Sequence, residues 1–376
     1  MTPAADGRPM RLAISNHGLR LSGGIERYAL TLVRGLHQRG VRPWLIAKAF
    51  DQGLPEYGWV HPVHAGVRCA PGKLRDLVFD WRIGRAKRRL GLFPLIGCNQ
   101  TRWSDIAICG STHPGYLEAM GENPGPVDRL KIALERSHLE SASIVVAHSA
   151  RMRKEAERHY GIDPRKVALL YPPVDGERFS LVVDSARTAL RERLSLPNDR
   201  AVFLLASTGH RRKGLGQVAA FFSRTDLPAT LLVAGRPMEH ATPNVRYLGY
   251  RKDIEDVYRA VDFTVLASLY EPFGLVGVES VLSGTPVLLE ASAGCAEVIR
   301  EPAQLPFSLD QPESFASAVA AAVERWQRGE HRLIAPTYLL AYDPDVAAHV
   351  DALLALVRSL LPDHRSQGEL WSRRRN

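Results

Sequence analysis

The first fifty residues alternate between short apolar runs and a helical pattern of apolar positions. An apolar run at residues 12–14 precedes a glycine pair at 23–24, and apolar side chains then recur at helical spacing over 25–36. Gly40 can end this helix, and a second apolar run follows at 44–47. The pattern predicts a β-α-β unit with a glycine loop after its first strand.

The same alternation continues through the rest of the chain. In the first half, further strands are predicted at 105–109 and 144–147. Two prolines at 172–173 then interrupt regular structure and predict a domain boundary. Beyond them the pattern predicts strands at 202–206, 230–234, 245–248, 263–267 and 286–289, and helices at 214–222, 254–260, 275–282, 314–325 and 346–360. We therefore predict an α/β protein with two Rossmann-like domains, each a doubly wound parallel sheet.

Composition agrees with a globular protein and suggests where it works. The 376 residues correspond to roughly two or three domains, and 45% hydrophobic with 24% charged residues is typical of soluble proteins. The sequence lacks both a membrane-length apolar run and an apolar signal-peptide core, so we expect a cytoplasmic protein. The four cysteines lack zinc spacing and are expected to be reduced. A net charge of +9 indicates an anionic partner, which nucleic acid, a membrane surface or a phosphorylated substrate would each satisfy.

Two glutamates follow the predicted strand 263–267, in the sequence E-P-F-G-L-V-G-V-E at 271–279. A helix that begins near Gly274 would point its free N–H groups beyond the end of the strand. Two carboxylates held ~8 to 10 Å apart could accept hydrogen bonds from hydroxyls at opposite ends of a nucleotide sugar. Two solvent-facing helix glutamates would show the same spacing, but the strand-loop-helix context favours a binding site.

A basic turn, S-T-G-H-R-R-K-G at 207–214, lies between the predicted strand 202–206 and the next helix. At the carboxyl edge of a sheet, Arg212 and Lys213 could neutralise a diphosphate leaving group, since each charge-assisted bond is worth about 1.5 to 3 kcal/mol. A solvated basic turn is the alternative.

The glycine pair and the acidic residues restrict the kind of ligand. Gly23 and Gly24 would let the backbone approach a ligand, although a tight turn would also explain them. Their spacing differs from the G-x-G-x-x-G fingerprint, which argues against a nicotinamide enzyme. The D-x-D sequence at 343–345 precedes the last helix and predicts a helix cap. We therefore expect no metal site.

These motifs together resemble glycosyltransferase family 4, the retaining enzymes of the GT-B fold. The resemblance is carried by G-G-I-E-R-Y at 23–28, R-R-K-G at 211–214 and the stretch 271–279, with Y-P-P-V-D at 171–175 and G-C-A-E at 294–297 in support. The region 244–287 is most similar to bacterial lipopolysaccharide core glycosyltransferases, especially the first core glucosyltransferase.

The family resemblance implies a division of labour between two domains that face each other across a cleft. Residues 1–172 would form the acceptor-binding domain, and residues 173–345 would bind the nucleotide sugar. A C-terminal helix at about 346–376 would pack back on the first domain.

The resemblance also implies roles for individual residues. Glu271 and the backbone of residues 273–275 (Phe273, Gly274 and Leu275) would hold the donor sugar, and Glu279 would bind the ribose hydroxyls. Arg212 and Lys213 would clamp the diphosphate.

Two positions qualify this assignment. His113 matches a histidine that lies near the donor sugar in many family members, although a loop histidine bonded to backbone is the alternative. Many relatives carry arginine in place of Ser207, so part of the phosphate clamp could have moved to Arg211 or Arg212.

The implied reaction moves a hexose from a nucleotide sugar, UDP-glucose or another UDP-sugar, to a saccharide acceptor of the lipopolysaccharide core. The acceptor would be lipid-linked or phosphorylated, and neither a metal nor another cofactor would be needed. Nucleotide-sugar 2-epimerases use the same two-domain fold, but the E-P-F-G motif argues against them. A basic nucleic-acid-binding protein would explain the charge and leave the paired glutamates without a role, so no nucleic-acid partner is expected.

Residues 73–89 combine apolar and basic side chains at helical spacing. Leu74, Leu77, Val78 and Trp81 would form one face of a basic amphipathic helix. Such a helix could dock the enzyme on the inner face of the cytoplasmic membrane. A core-facing helix with a charged outer side is equally compatible with the pattern.

Overall fold

A computed structural model of the chain describes residues 10–21, 23–238 and 242–361, apart from the side chain of Lys73. The first of its two sheets has seven parallel strands in the order β3-β2-β1-β4-β5-β6-β7. The strands are β1 (Ala13–Leu19), β2 (Trp44–Phe50), β3 (His61–His64), β4 (Leu95–Gly97), β5 (Ile106–Cys109), β6 (Ile144–Ala147) and β7 (Val167–Leu169). The helices of this half are α1 (Gly24–Gln38), α2 (Arg75–Leu90), α3 (His113–Met120), α4 (Pro126–Ser141) and α5 (Ala150–Tyr160).

The second sheet has six parallel strands in the order β10-β9-β8-β11-β12-β13. They are β8 (Ala201–Ser207), β9 (Ala229–Gly235), β10 (Val245–Gly249), β11 (Phe263–Leu266), β12 (Val287–Glu290) and β13 (Gln304–Phe307). The remaining helices are α6 (Asp184–Arg193), α7 (Leu215–Phe222), α8 (Ile254–Ala260), α9 (Leu275–Leu282), α10 (Pro312–Gln327) and α11 (Val346–Ser359). The predicted fold, two Rossmann-like parallel-sheet domains, is confirmed.

Both sheets are covered on two faces because successive side chains of a strand point to opposite sides. In β1, Ala13 and Ile14 belong to different buried apolar clusters, and in β8 the same holds for Val202 and Phe203. Strands of this kind are predicted from sequence as continuous apolar runs rather than as alternating patterns.

Three strands, β3, β4 and β13, were not predicted from the sequence. Of these, β3 and β13 are edge strands. Each contains a proline, Pro62 and Pro306. Proline cannot donate to a strand ladder, so it is tolerated at a sheet edge and obscures the strand pattern there.

The last helix, α11, packs on the first half of the chain. Val350, Leu353 and Val357 are buried in the same cluster as Leu32 and Leu36 of α1. The two helices approach closely at Gly35, where a Cβ would lie 2.6 Å from Cγ2 of Val350. Asp345 caps α11 by accepting a hydrogen bond from the N–H of Ala348 at 3.0 Å, which confirms the predicted cap. Residues 362–376, the end of the predicted C-terminal helix, lie outside the described residues.

The loops that follow the strands of the two sheets enclose a cleft of about 670 Å³. The lining includes residues after β1, β5 and β6 on one side and, on the other, the end of β9 and residues after β8, β10 and β11. Ligands of open parallel sheets bind at this carboxyl edge. None of the helices in the described part of the chain is long and apolar enough to cross a membrane.

Candidate active site

A buried ion-paired cluster lies on the second-domain side of the cleft. The Lys213 ammonium donates to Oε2 of Glu271 at 2.5 Å, and the Ser268 hydroxyl donates to the same oxygen at 2.8 Å. Nη1 of Arg212 is 3.6 Å from this oxygen. The sequence predicted Arg212 and Lys213 to hold phosphate and Glu271 to hold the sugar, and the structure places both cations beside the Glu271 carboxylate.

The electrostatics of the cluster keep Glu271 ionised. Burial alone would raise the pKa of Glu271, but the positive charges of Lys213 and Arg212 outweigh it and lower the pKa below its ordinary value. A buried carboxylate remains charged when it is paired and hydrogen-bonded in this way. The site therefore presents fixed charges of both signs to the cleft.

Glycine allows the basic turn to reach the end of β11. Gly214 has a φ of +67°, and a Cβ there would lie 2.1 Å from the carbonyl oxygen of Ala267. The turn is fixed to the next loop by a hydrogen bond from the N–H of Leu269 to the carbonyl of Arg212 at 2.8 Å. A side chain at position 214 would separate Lys213 from Glu271, so the glycine has a local structural reason.

Residues 273–275 place the start of α9 at the cleft. Gly274 is the N-cap of α9, has a φ of +101° and offers no side-chain cap to the first turn. The Phe273 ring is buried and packs 5.9 Å from the ring of Tyr171 at the domain linker. Phe273, Gly274 and Leu275 all line the cleft, so the free N–H groups at the start of α9 can face a ligand.

Glu279 is paired across the cleft with a residue that the sequence did not single out. Nη2 of Arg27, on α1 of the first domain, donates to Oε1 of Glu279 at 2.9 Å. The Tyr258 hydroxyl is 3.4 Å from the other carboxylate oxygen. Arg27 belongs to the G-G-I-E-R-Y motif, but nothing in the sequence shows that α1 faces α9.

The glycine pair lies on the first-domain side of the cleft. Gly23 is the N-cap of α1 and Gly24 its first residue. Both line the cleft, and a Cβ at Gly24 would meet no atom within 4 Å. The absence of side chains here leaves room for a ligand near Arg27, which follows on the same helix.

His113 is directed away from the cleft towards another side chain. Its Nε2 lies 2.8 Å from Oδ1 of Asp128, and its backbone N–H donates to Oε2 of Glu135 at 2.7 Å. Ser111, two residues earlier in the chain, lines the cleft, whereas His113 does not.

The neighbours of Ser207 show how the basic turn is arranged. The Ser207 hydroxyl is 2.8 Å from Nδ1 of His210. Arg211 points to the first domain, where it contacts Glu122 and donates to the carbonyl of Met120 at 2.8 Å. Many relatives carry arginine where this chain has Ser207, and Arg211 or Arg212 was expected to take over its role. Of these two, only Arg212 lies beside Glu271.

Comparison with known proteins identifies the family. Residues 22–178 match the model of Glycosyltransferase Family 4, and residues 199–325 match that of Glycosyl transferases group 1. A probable transglycosylase from Burkholderia thailandensis is 45% identical over 362 residues, covering 96% of this chain and 100% of the relative. A D-inositol 3-phosphate glycosyltransferase from Geodermatophilus obscurus is 29% identical and covers 81% of this chain and 78% of its own length.

Solved structures agree on the fold. WaaG, a glycosyltransferase involved in lipopolysaccharide biosynthesis, superposes with a TM-score of 0.73 at 16% identity, covering 90% of this chain and 95% of its own. HepE from Anabaena, in complex with UDP-glucose, superposes with a TM-score of 0.72 at 16% identity, covering 93% and 100%. At such identities the likeness shows the fold alone. Together with the family matches, it shows that this chain belongs to the GT-B glycosyltransferases of family 4.

Proposed function

We propose that this glycosyltransferase moves a hexose from a UDP-sugar, UDP-glucose in the first instance, to a saccharide acceptor of the lipopolysaccharide core with retention of configuration. The observation that carries the proposal is the Lys213, Arg212 and Glu271 cluster at the carboxyl edge of the second sheet. HepE, which has the same fold, was solved with UDP-glucose. WaaG, also of this fold, is involved in lipopolysaccharide biosynthesis.

The proposed chemistry depends on exchange of partners within the cluster. An arriving diphosphate takes Lys213 and Arg212 from Glu271, and the freed carboxylate accepts hydrogen bonds from hydroxyls of the sugar. The bond between the sugar and the diphosphate breaks while the acceptor hydroxyl oxygen bonds to the same carbon and passes its proton to the leaving phosphate oxygen. The negative charge that builds on the leaving group is stabilised by the two cations. Pre-placed charges act strongly in a site from which water is excluded. Glu271 serves as a sugar-binding residue in this scheme rather than as a nucleophile.

Neither a metal nor another cofactor takes part in the proposed reaction. The two cations supply the charge that a metal would otherwise provide to the diphosphate. Within the residues that the structure describes, no three His, Cys, Asp or Glu side chains are grouped so as to hold a metal. Activity in excess chelator tests this part of the proposal.

The first domain carries the acceptor in this proposal, and the enzyme works in the cytoplasm at the inner face of the membrane. Trp81, Arg85 and Arg89 of α2 are exposed, and the guanidinium of Arg85 lies 5.8 Å from the centroid of the Trp81 ring. An aromatic side chain among arginines suits an anionic lipid interface, where a lipid-linked or phosphorylated acceptor would be found.

The proposal is tested with a thermal-shift panel of UDP-, GDP- and ADP-glucose, followed by donor turnover. We expect UDP-glucose to raise the melting temperature with concentration because it binds the native state. Lys213→Ala is expected to lower turnover by about 10²- to 10³-fold, because this is the usual effect of removing one group that stabilises charge in the transition state. Lys154→Ala, which removes an exposed lysine from α5, is the matched control and should turn over normally.

Two outcomes would contradict the proposal. One is unchanged turnover in both Lys213→Ala and Glu271→Ala, and the other is a panel in which no sugar nucleotide binds at millimolar concentration. Conversion of the sugar nucleotide to its epimer without any acceptor would favour the 2-epimerase alternative instead.

A further inference from the structure

One tyrosine of the second domain is buried within the first domain. Tyr270 directly precedes Glu271, and its ring belongs to the apolar cluster formed by residues of β5, β6 and α5. The guanidinium of Arg151 lies over this ring, 4.8 Å from its centroid. The loop that carries Glu271 is therefore anchored in the opposite domain.

The Tyr270 hydroxyl is fully engaged by first-domain groups. It accepts a hydrogen bond from the N–H of Thr112 at 2.9 Å and donates to Oε2 of Glu155 at 2.8 Å. The Thr112 hydroxyl donates to the same carboxylate oxygen, and Nε of Arg151 donates to the other at 2.8 Å. Burial and the charge of Glu155 raise the pKa of Tyr270, so the phenol keeps its proton at neutral pH. A bond from a neutral phenol to a carboxylate is charge-assisted and geometrically specific.

This hydroxyl completes the N-terminus of α3. Thr112 is the N-cap of α3, and its hydroxyl oxygen accepts from the N–H of Gly115 at 3.2 Å. The Thr112 N–H would have no partner within the helix, and the phenol of the other domain supplies one. Ser111, which precedes Thr112, lines the cleft. The second domain therefore holds the first-domain loop that faces the ligand space.

The backbone of the same residue holds the diphosphate side of the site. The carbonyl of Tyr270 accepts from Nη1 of Arg212 at 3.0 Å, and Glu271 follows with its bond to Lys213. One residue thus fixes Arg212, Glu271 and the loop at 111–112 relative to one another.

We infer that Tyr270 is a positioning residue for glycosyl transfer, which sets the diphosphate-binding groups in register with the first-domain loop at 111–112. The inference rests on the proposed function. Tyr270 does not line the cleft, so it acts through Arg212, Glu271 and Thr112 rather than on the substrate. An ångström of misplacement between reacting groups can cost about 10²-fold in rate. Nucleotide binding, in contrast, needs only second-domain groups.

The test is Tyr270→Phe, which keeps the ring and removes the hydroxyl. We expect kcat for donor turnover to fall by about tenfold or more, while the Kd of UDP stays within about twofold, because the missing bond matters only for the reacting geometry. Tyr247→Phe is the matched control, since it removes a tyrosine hydroxyl that donates to the Gly235 carbonyl at 2.8 Å within the second domain. It should change neither quantity. Glu155→Gln weakens the hydrogen bond from the Tyr270 hydroxyl by changing its acceptor. In the double variant with Tyr270→Phe and Glu155→Gln, the loss of kcat should therefore be about that of one change and not the product of both.

Three results would overturn the inference. They are turnover of Tyr270→Phe equal to that of Tyr247→Phe, UDP binding that weakens in parallel with kcat, or kcat losses that multiply in the double variant. If Tyr270→Phe unfolds, Glu155→Gln alone must show the loss of kcat at constant UDP affinity. Lys213→Ala measured in parallel separates the two claims. A loss there with normal Tyr270→Phe turnover removes the inference alone, whereas normal turnover of both Lys213→Ala and Glu271→Ala removes the proposed function.

Discussion

Glu271 and Glu279 lie on one loop-helix segment, yet their side chains have different partners. Glu271 is held by Lys213 of its own domain, whereas Glu279 is held by Arg27 of the other domain. The side chain of Glu279 is 5% exposed and that of Arg27 is 39% exposed. The carboxylate is thus the fixed member of the pair, and the guanidinium is the member that a ligand can displace.

This difference leads to a prediction at the residue scale. Glu279→Gln is expected to weaken UDP binding by about tenfold or more, since a hydroxyl bonded to a charged acceptor is worth about 1.5 to 3 kcal/mol. If Glu279 binds the ribose as the family resemblance implies, the ribose hydroxyls take the place of Arg27 at Oε1, so Arg27→Ala should not weaken UDP binding. Isothermal titration with UDP measures both. Equal losses in the two variants would contradict the prediction and would show that Arg27 binds the nucleotide itself.

At the scale of elements, α2 divides the side chains that the sequence placed on one apolar face. Val78 packs against the buried cluster of Phe79 and Ile83, whereas Leu74 and Trp81 are exposed. The basic residues are divided as well. The Lys87 ammonium forms an ion pair with Asp105 at 2.7 Å within the first domain, whereas Arg85, Arg88 and Arg89 are exposed. The helix is therefore a core element whose outer side keeps an arginine-tryptophan surface.

The outer side of α2 leads to a prediction on membranes. Arg85→Ala with Arg89→Ala is expected to reduce binding to vesicles that contain anionic lipid by about tenfold or more, because each arginine near such a surface contributes about 1 kcal/mol. Flotation of the protein with anionic and zwitterionic vesicles measures it. Arg224→Ala with Arg328→Ala removes two exposed charges from the second domain as the control. Equal flotation with both vesicle types, or equal losses in both double variants, would exclude docking through α2.

At the scale of the whole molecule, a buried histidine joins the last helix to the first domain and the linker. Nδ1 of His349, on α11, donates to the carbonyl of Tyr171 at 2.9 Å, and its Nε2 accepts from the Tyr28 hydroxyl at 2.9 Å. Burial lowers the pKa of His349 to about 4. Burial and the neighbouring His349 lower the pKa of His148, which packs on the same Tyr28 ring, to about 3. Both imidazoles are neutral in the folded protein at neutral pH.

The pKa of His349 predicts a loss of stability in mild acid. In the unfolded chain this histidine binds a proton below about pH 6.5, while in the folded protein it does so only near pH 4. The contribution of His349 to the free energy of unfolding is therefore fully present above pH 6.5 and is lost as the pH falls towards 4. A pKa shift from about 6.5 to about 4 corresponds to a loss on the order of 3 kcal/mol. Denaturant unfolding at several pH values measures it. His349→Gln should reduce the dependence and leave the part that His148 contributes, whereas His64→Gln, at an exposed histidine, should leave it unchanged. An equal dependence in His349→Gln would contradict the assignment.

Much of the fold could be predicted because buried parallel strands are marked by their own apolar composition. The β-α-β unit of α1, the strands from β8 to β12 and the helix α9 after Gly274 all follow from local pattern and turn chemistry. The proline-containing edge strands did not, since their ladder is made on one side and their pattern is mixed. The residues of the Lys213 and Glu271 cluster were also identifiable, because each lies in the loop that follows a predicted strand.

The sequence by itself determined which residue types stand at the carboxyl edge of each sheet, because that placement follows from strand order along the chain. Only the tertiary structure decided their partners. Arg27 with Glu279, Tyr270 with Thr112 and Glu155, and His349 with Tyr28 join residues that are more than a hundred positions apart. His113, predicted near the donor sugar, lies instead beside Asp128 of its own domain, a contact made where α3 packs against α4. A local pattern specifies an element and its exposed end, whereas the relative position of the two domains specifies which charged and hydroxyl groups meet.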